Sequence, residues 1–180
     1  MSRIGKKPVP IPSGVQVALR DHTVVVKGDK GELTWDFAPT IKVEQRGSEI
    51  IVERLDDLRE TRSLHGLSRS LIANMVTGVS DGYTKSLEIV GVGYRATQRG
   101  DNVAVQVGYA KPVVVAPLSG LQLEVEGQNR IHVRGARKDL VGQMAAKIRA
   151  LRPPDRYKGK GIRYVGEVVI LKAGKGGKRA

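Results

Sequence analysis

The chain has 180 residues, a net charge of +13 and no cysteine. This length allows one or two domains. The lack of cysteine excludes a disulfide framework and a thiolate metal site, and no apolar run has transmembrane length. The opening MSRIGKKPVPIPSG lacks the apolar stretch of a secretory signal, so we expect a cytoplasmic protein with no membrane partner.

The positive charge is concentrated near the end of the chain. Residues 1–81 hold 12 Lys and Arg against 11 Asp and Glu, whereas residues 130–180 hold 15 against 3. A basic excess of this size favours an anionic partner, such as a nucleic acid, an anionic membrane or an acidic protein. We therefore expect the anion-binding surface to lie in the last third of the chain.

Alternating apolar and polar residues predict antiparallel strands in the first part. VQVAL and TVVVK flank a turn at Asp21-His22, and IKVEQ and EIIVE flank Arg46-Gly47-Ser48, so each pair predicts a hairpin. A helix is predicted to follow, with a capping box of Asp57 and Glu60 and a C-terminal cap at Gly78. Its predicted apolar stripe is Leu64, Leu67, Leu71 and Met75.

The same order of elements recurs later in the chain. HTVVVKG (22–28) aligns with NVAVQVG (102–108), and IKVEQRG (41–47) aligns with LQLEVEG (121–127). SLHGLSRSLI (63–72) aligns with LVGQMAAKIR (140–149), which predicts a second helix that ends at Pro153-Pro154. That helix carries the apolar residues Val141, Met144, Ile148 and Leu151, and YVGEVVILK (164–172) predicts a closing strand.

These repeats predict an α+β fold of two tandem duplicated domains, each a mostly antiparallel sheet covered by one α-helix. The first copy spans 1–81, is nearly neutral and is expected to face proteins. The second copy spans 82–172, is basic and is expected to bind RNA. Residues 173–180 form a basic tail that we expect to be flexible.

The stretch PPDRYKGKGIRY (153–164) has no counterpart in the first copy. Residues 147–163 hold seven Lys and Arg against Asp155 alone. Gly beside Lys brings the backbone close to a phosphate and leaves N–H groups free, and Tyr157 and Tyr164 can stack on unpaired bases. The alternative for such a run is a solvated charged face. We expect this loop to be mobile without RNA, because like charges and Gly oppose a fixed conformation.

RPPDRYKGKGIRY resembles the C-terminal signature of the bacterial large-subunit ribosomal protein six family. VGVGYRA (90–96), SLHGLSRSLIANMVTGVSDGY (63–83) and MSRIGKKPVPIP are also similar to that family, so the resemblance covers essentially the whole chain. It implies a structural constituent of the large ribosomal subunit that binds 23S rRNA, chiefly through the second domain. It further implies a place at the base of the flexible stalk, beside neighbouring large-subunit proteins and near the docking site of translation GTPases.

The resemblance and the basic pattern together select the residues expected to bind rRNA. They are Arg152, Arg156, Tyr157, Lys158, Gly159, Lys160, Gly161, Arg163, Tyr164, Lys172, Lys175, Lys178 and Arg179. A second set of candidates comprises Tyr94, Arg95, Arg137, Lys138, Lys147 and Arg149. A strand bulge is an equal alternative for Gly91 and Gly93, and Tyr94 can belong to the core or its rim.

Catalysis and metal binding have little support in this sequence. The three histidines share no metal-ligand spacing. The four carboxylates of ERLDDLRE (53–60) can hold a hard cation, but acids at a helix N-terminus are the favoured interpretation. GKGGK in the tail lacks the residues of a phosphate-binding loop. We therefore predict no catalytic residue, no metal and no cofactor.

Two alternative hypotheses remain for the function. An enzyme acting on nucleic acid would need a reactive cluster in the basic half, whose few carboxylates are scattered. A protein-interaction module would use the neutral first copy, which is compatible with rRNA binding by the second. Trp35 is expected to pack in the core, with exposure on a protein-binding face as the alternative.

Overall fold

The computed structural model describes residues 4–174. The chain divides into two compact units, the first comprising Met1–Tyr83 with Ala136–Lys138 and the second Thr84–Gly135 with Asp139–Ala180. The helices are α1 (Arg59–Ser80) and α2 (Lys138–Leu151), and the strands pair antiparallel in several sheets. The predicted α+β class is confirmed, with the refinement that the strands of each repeat form two sheets.

The first repeat contains six strands before its helix. These are β1 (Val9–Pro10), β2 (Gln16–Arg20), β3 (Thr23–Gly28), β4 (Gly31–Asp36), β5 (Ile41–Arg46) and β6 (Glu49–Arg54). One sheet has the order β2-β3-β4 and the other β1-β6-β5. Both predicted hairpins are confirmed. Asp21 and Gly47 take positive φ angles of 47° and 61° in their turns, which match the twist of the paired strands.

Helix α1 buries a different face from the one predicted. Leu67 is 51% exposed, Leu64 and Leu71 are half-buried, and Met75 alone among the four predicted stripe residues is buried. Polar side chains lie on the buried face because they find partners there: the Nε2 atom of His65 lies 2.8 Å from the carbonyl oxygen of Val52. The buried residues are Thr61, His65, Ser68, Ile72, Met75, Val76, Gly78 and Val79.

Both predicted caps of α1 are wrong. The helix begins at Arg59 after Leu58, which has no side-chain cap, and the Asp57 carboxylate instead accepts a hydrogen bond from Arg54. At the other end, Gly78 lies inside the helix. Gly82, just beyond the end of the helix, has a φ of 77°. The backbone N–H groups of Asp81 and Gly82 both donate to the carbonyl oxygen of Thr77. Arg54, three residues earlier in the chain, therefore engages the carboxylate that the spacing assigned to the cap.

The second repeat has the same arrangement with one added strand. Its strands are β7 (Tyr83–Val90), β8 (Arg95–Arg99), β9 (Asn102–Gln106), β10 (Val113–Val115), β11 (Leu121–Glu126), β12 (Arg130–Gly135) and β13 (Gly161–Tyr164). The sheets have the orders β10-β9-β8 and β11-β12-β7-β13. The predicted apolar face of α2 is confirmed, since Val141, Met144 and Ile148 are buried and Leu151 is half-buried.

The closing strand is shorter and earlier than predicted. Strand β13 pairs antiparallel with β7 only from Gly161 to Tyr164, and residues 165–174 contain no strand. The chain turns at Gly166, where φ is 82°, and Val168 and Ile170 are 88% and 84% exposed. The prediction of a strand over 164–172 is therefore wrong, because a glycine turn carries the apolar residues away from the ladder.

No helix in the described part of the chain, residues 4–174, has the length and hydrophobicity needed to cross a membrane.

Candidate RNA interface

The basic loop, defined here as residues 153–160, connects α2 to β13 and is organised by Asp155. The Asp155 carboxylate accepts hydrogen bonds from the N–H groups of Tyr157 at 3.2 Å and Lys158 at 2.8 Å. The Asp155 carbonyl accepts from Gly159 at 3.0 Å, and the Asp155 N–H donates to Lys160 at 2.9 Å. The prediction that these N–H groups are open to phosphate is therefore wrong for residues 157–159.

Glycine is required where the loop enters β13. Gly161 has a φ of 146°, and a Cβ added there would lie 2.6 Å from the carbonyl oxygen of Pro153. The next residue, Ile162, is buried, and its N–H donates to the carbonyl of Arg152 at 2.8 Å. The loop is thus closed by its own hydrogen bonds and held against the end of α2. This geometry argues against the predicted mobility of the loop, which amide exchange would test.

The basic loop and Arg152, the residue before it, present cations that have no carboxylate partner within residues 4–174. Arg152, Arg156, Lys158 and Lys160 are exposed, and none of them forms an ion pair with any residue between positions 4 and 174. The ring of Tyr157 is 60% exposed beside them. Unpaired cations next to an exposed aromatic ring are suited to phosphates and unstacked bases.

Three predicted residues are instead engaged within the second unit. Arg149 forms an ion pair with Glu167, and Arg163 forms one with Glu88. The ring of Tyr164 contacts Lys85 and Arg149, whose charges lie 5.0 Å and 5.6 Å from its centroid. Hydrogen bonds from Arg149 and from the Tyr164 N–H lower the pKa of Glu167, and Glu167 in turn raises the pKa of Arg149. These side chains therefore stabilise the fold around the interface and add little unpaired charge to it.

Tyr94 lies beside a second group of residues, on the turn between β7 and β8. Gly91 and Gly93 have φ angles of 146° and 78° in this turn, which is a connection between strands and not a bulge within one. The half-buried Tyr94 ring packs over Gly91 and reaches Gly108. Arg95 donates to the side-chain oxygen of Gln106 at 3.0 Å. Tyr94 thus belongs to the rim, as one of the sequence-based alternatives had it.

Tyr109 also belongs to this group, although the sequence analysis did not select it. Its hydroxyl donates to the carbonyl of Leu151 at 2.8 Å, and its ring centroid lies 5.7 Å from the Arg152 guanidinium carbon. The Tyr109 hydroxyl, followed by that of Tyr94, raises the pKa of Arg152. The segment GYAKP predicts only a turn, so the sequence carried no signal for a contact with a helix end 42 positions away.

The remaining predicted residues lie in several places. Lys147 and Arg137 are exposed, and Lys138 belongs to the first unit, 3.2 Å from the side-chain oxygen of Asn74. The N–H of Lys172 donates to the carbonyl of Arg156 at 2.7 Å, which ties residue 172 to the basic loop. Lys175, Lys178 and Arg179 lie outside the described residues.

The histidines and the acidic cluster form structural contacts. The carboxylates of Glu53 and Asp57 pair with Arg46 and Arg54, and that of Asp56 accepts from the Leu58 N–H. Across residues 4–174, no group of three or more His, Asp and Glu side chains has the arrangement of a metal site. His65 is buried beside Arg54, His132 lies between Ser86 and Glu126, and His22 meets the ring of Phe37 edge-on. Trp35 packs against the core of the first unit.

Comparison with known proteins defines first the class and then the family. The model of the family described as Ribosomal protein L6 matches residues 11–82 and 90–165, one segment for each repeat. The large ribosomal subunit protein uL6 of Carboxydothermus hydrogenoformans is 55% identical to this chain, over 98% of the chain and 97% of the relative. The uL6 protein of Geobacillus stearothermophilus is 56% identical, and that of Synechococcus elongatus is 52% identical. Each of these two matches covers 99% of the chain and 100% of the relative.

The two matched repeats and these relatives define the class as a ribosomal protein. The chain belongs to the ribosomal protein L6 family, so the resemblance stated from its motifs is confirmed. Membership makes it a structural, non-enzymatic component of the ribosome. The alternative of an enzyme acting on nucleic acid is thereby wrong.

Proposed function

We propose that the chain, as a constituent of the large ribosomal subunit in the cytoplasm, binds 23S rRNA through its basic second unit. It helps to shape the base of the stalk near the region where translation factors bind. The observation that carries the RNA-binding part is the basic loop, in which Arg156, Lys158 and Lys160 are exposed and without carboxylate partners in residues 4–174. The curated relatives, which are named as large-subunit proteins, support the assembly.

Neutralisation of phosphates is the principal source of affinity in this proposal. Each Lys or Arg that contacts a phosphate releases counterions, so binding weakens as salt rises. The Asp155 hydrogen bonds hold the loop in one shape before RNA arrives, which lowers the ordering cost of binding. Tyr157, with its exposed ring, supplies a stacking surface for an unpaired base.

The paired arginines have a supporting role in this interface. Arg163 and Arg149 retain exposed edges, with 32% of each side chain accessible, but their charges are balanced by Glu88 and Glu167. They hold β13 and the segment after it in place, so that the unpaired cations project from a fixed surface. Of the second set of candidates, Lys147 is exposed on α2 and adds a positive charge to the second unit.

The first unit is proposed to face neighbouring ribosomal proteins. Residues 1–81 carry almost no net charge, so they supply little attraction for phosphate. Placement near the stalk base would bring translation GTPases into proximity without requiring them to bind this chain. This division of roles follows the charge asymmetry, and it keeps the protein-interaction hypothesis for the first repeat alone.

The RNA-binding role is tested with the double substitution Lys158→Ala and Lys160→Ala in the full chain. We expect weaker binding to large-subunit rRNA and a smaller dependence of log Kd on log salt, by about 0.7 to 0.9 for each lost phosphate contact. The measurement is a binding titration at four or more salt concentrations, with unrelated duplex RNA and DNA as competitors.

A matched control removes the same two charges from the first unit, by Lys27→Ala and Lys30→Ala. Both control residues are exposed and have no carboxylate partner in the described range, so the control separates position from total charge. The proposal predicts that the control leaves the salt dependence unchanged. Equal effects of the two double variants, or equal displacement by every competitor, would show generic attraction to polyanions and contradict it.

A further inference from the structure

We propose that Tyr109, on the loop between β9 and β10, is a positioning residue that holds the Arg152 guanidinium for a phosphate of the RNA. Tyr94 is its second support. The proposal rests on the proposed function, since it adds a new residue to the same interface. It also assigns a role to residues 109–112, which belong to none of the motifs that predicted the interface.

The first observation is the bond between the Tyr109 hydroxyl and the end of α2. The last four carbonyl groups of a helix lack partners within the helix, and Leu151 is the final residue of α2. The Tyr109 hydroxyl donates to the Leu151 carbonyl at 2.8 Å, so it satisfies one of these groups. It thereby fixes the Tyr109 ring directly beside Arg152, the next residue in the chain.

The second observation is the contact between the ring and the guanidinium. The Arg152 guanidinium carbon lies 5.7 Å from the Tyr109 ring centroid, within the range of a cation–π interaction. The Arg152 backbone is fixed as well, because its carbonyl accepts from the buried Ile162 at 2.8 Å. Arg152 is exposed and has no carboxylate partner within residues 4–174. The ring therefore orients a charge that stays available to an anion.

The third observation is the approach of Tyr94 to Gly108, the residue before Tyr109. Gly108 precedes Tyr109 and has a φ of 83°. A Cβ added at Gly108 would lie 3.1 Å from the Tyr94 hydroxyl, so the absence of a side chain lets Tyr94 come close. Tyr109 first and Tyr94 next raise the pKa of Arg152, which agrees with the contact between its guanidinium and the Tyr109 ring.

These contacts hold the loop at 107–112 against the end of α2 and the turn at 91–94 against that loop. A helix cap alone would need only the Tyr109 hydroxyl. The half-exposed ring, of which 46% is accessible, serves instead to orient Arg152. An arginine held in place before binding loses less side-chain freedom when it pairs with a phosphate, so affinity rises without a new contact.

The experiment is a double-mutant cycle between positions 109 and 152 in the full chain, measured as binding to large-subunit rRNA over a salt series. Tyr109→Leu removes the ring and the hydroxyl, and Tyr109→Phe removes only the hydroxyl. We expect Tyr109→Leu to weaken binding roughly threefold to tenfold, in line with the energy of a cation–π contact, and to lessen the salt dependence. In an Arg152→Ala background the same change is expected to have no further effect.

The Phe variant keeps the proposal testable if the Leu variant fails to fold. Tyr109→Phe keeps the ring that contacts Arg152 but loses the hydroxyl bond that fixes it, so we expect a smaller loss of salt dependence than in Tyr109→Leu, together with a lower urea midpoint. Equal losses from Tyr109→Leu with and without Arg152 would overturn the proposal, because Tyr109 would then act independently of that cation. Unchanged salt dependence in Arg152→Ala would overturn it as well.

The salt dependence of the two sets of variants distinguishes failure of this proposal from failure of the proposed function. If Lys158→Ala with Lys160→Ala reduces the salt dependence while the changes at 109 and 152 do not, rRNA binding by the basic loop stands and the positioning role of Tyr109 fails. If neither set of variants changes the salt dependence of binding, the proposed function fails together with the positioning role of Tyr109.

Discussion

Two residues set the shape of the basic loop, and they do so by different means. Asp155 is the single acid among residues 147–163, and its carboxylate is turned toward backbone N–H groups instead of the neighbouring cations. Gly161 takes a backbone conformation that favours glycine, and a Cβ added there would lie only 2.6 Å from the Pro153 carbonyl oxygen. One residue closes the turn by hydrogen bonds, and the other allows it to pack against the end of α2.

Gly161→Ala is expected to destabilise the protein by about 2 kcal/mol or more, because a positive φ is costly for alanine and the new Cβ would clash with the Pro153 carbonyl. The measurement is urea unfolding. Gly174→Ala is the matched control, since its φ is not positive and open space surrounds its Cβ position, so it should change the midpoint little. An unchanged midpoint in the Gly161 variant would contradict this account.

At the scale of elements, β13 and the turn after it are held by one acid. The Glu167 carboxylate accepts from the Arg149 side chain and from the Tyr164 N–H at 2.9 Å, while the Val165 N–H donates to Ser86 at 3.0 Å. Beyond this anchor the aliphatic side chains of Val168 and Ile170 are exposed. The strand therefore ends where Glu167 and Gly166 turn the chain, and not where its apolar residues end.

Glu167→Gln is expected to lower the free energy of unfolding by about 1 kcal/mol near neutral pH, a value reduced for partial exposure of the pair. The folded-state pKa of Glu167 lies below its ordinary value of 4.5. The wild-type advantage is thus fully present above that value and is lost as the pH falls through the lower folded pKa. Urea unfolding at intervals from pH 7 to pH 3 should show the two proteins converging.

Asp101→Asn is the control for this experiment, because Asp101 is exposed and forms no ion pair or hydrogen bond within residues 4–174. It should run parallel to the wild type over the whole pH range. A constant gap between wild type and Glu167→Gln down to pH 3 would mean that the charge of Glu167 is not the stabilising feature.

At the scale of the whole molecule, duplication and charge are separate properties. The two repeats share sheet orders and a helix, yet the positive excess lies almost entirely in residues 130–180. Two domains of one fold can therefore carry different roles, since the surface charge is set by side chains that the core does not use. The basic loop is the clearest difference, because no segment of the first repeat corresponds to it.

The absence of cysteine allows the proposed placement to be measured directly. Lys111→Cys and Lys30→Cys, each carrying a tethered cleavage reagent, place a probe on an exposed position of the second and first unit. In reconstituted large subunits, the probe at 111 is expected to cut 23S rRNA at the stalk base, with weaker cutting from position 30. Cuts from position 111 that fall only in remote rRNA segments would contradict the placement.

Sequence periodicity predicted the fold well but not its details. Hairpins at Asp21-His22 and at Gly47 were predictable because turn chemistry and alternation act over a few residues. The buried face of α1 was not predictable from helical spacing. His65 is buried because it contacts Val52, which lies on a strand outside the helix. The capping role assigned to Asp57 failed for a local reason, since Arg54, three residues earlier, binds that carboxylate.

The candidate site shows the same division. The position of the basic loop and its exposed lysines followed from composition along the chain. Composition did not reveal which cations stay unpaired. Glu88 reaches Arg163, and Glu167 reaches Arg149, only after β7 and β13 pair and the chain turns. Tyr109 was missed since its partner, the end of α2, lies far away in sequence.

By itself the sequence determined the duplication, the α+β class, the family and the segment that carries the positive charge. These properties depend on residue types and on spacings between near neighbours, which can be counted along a chain. The tertiary structure alone decided which face of α1 is buried, where β13 ends, which arginines are neutralised and that Tyr109 lies under Arg152. Each of these depends on a contact between distant residues, whose strength is set by burial and geometry that only folding creates.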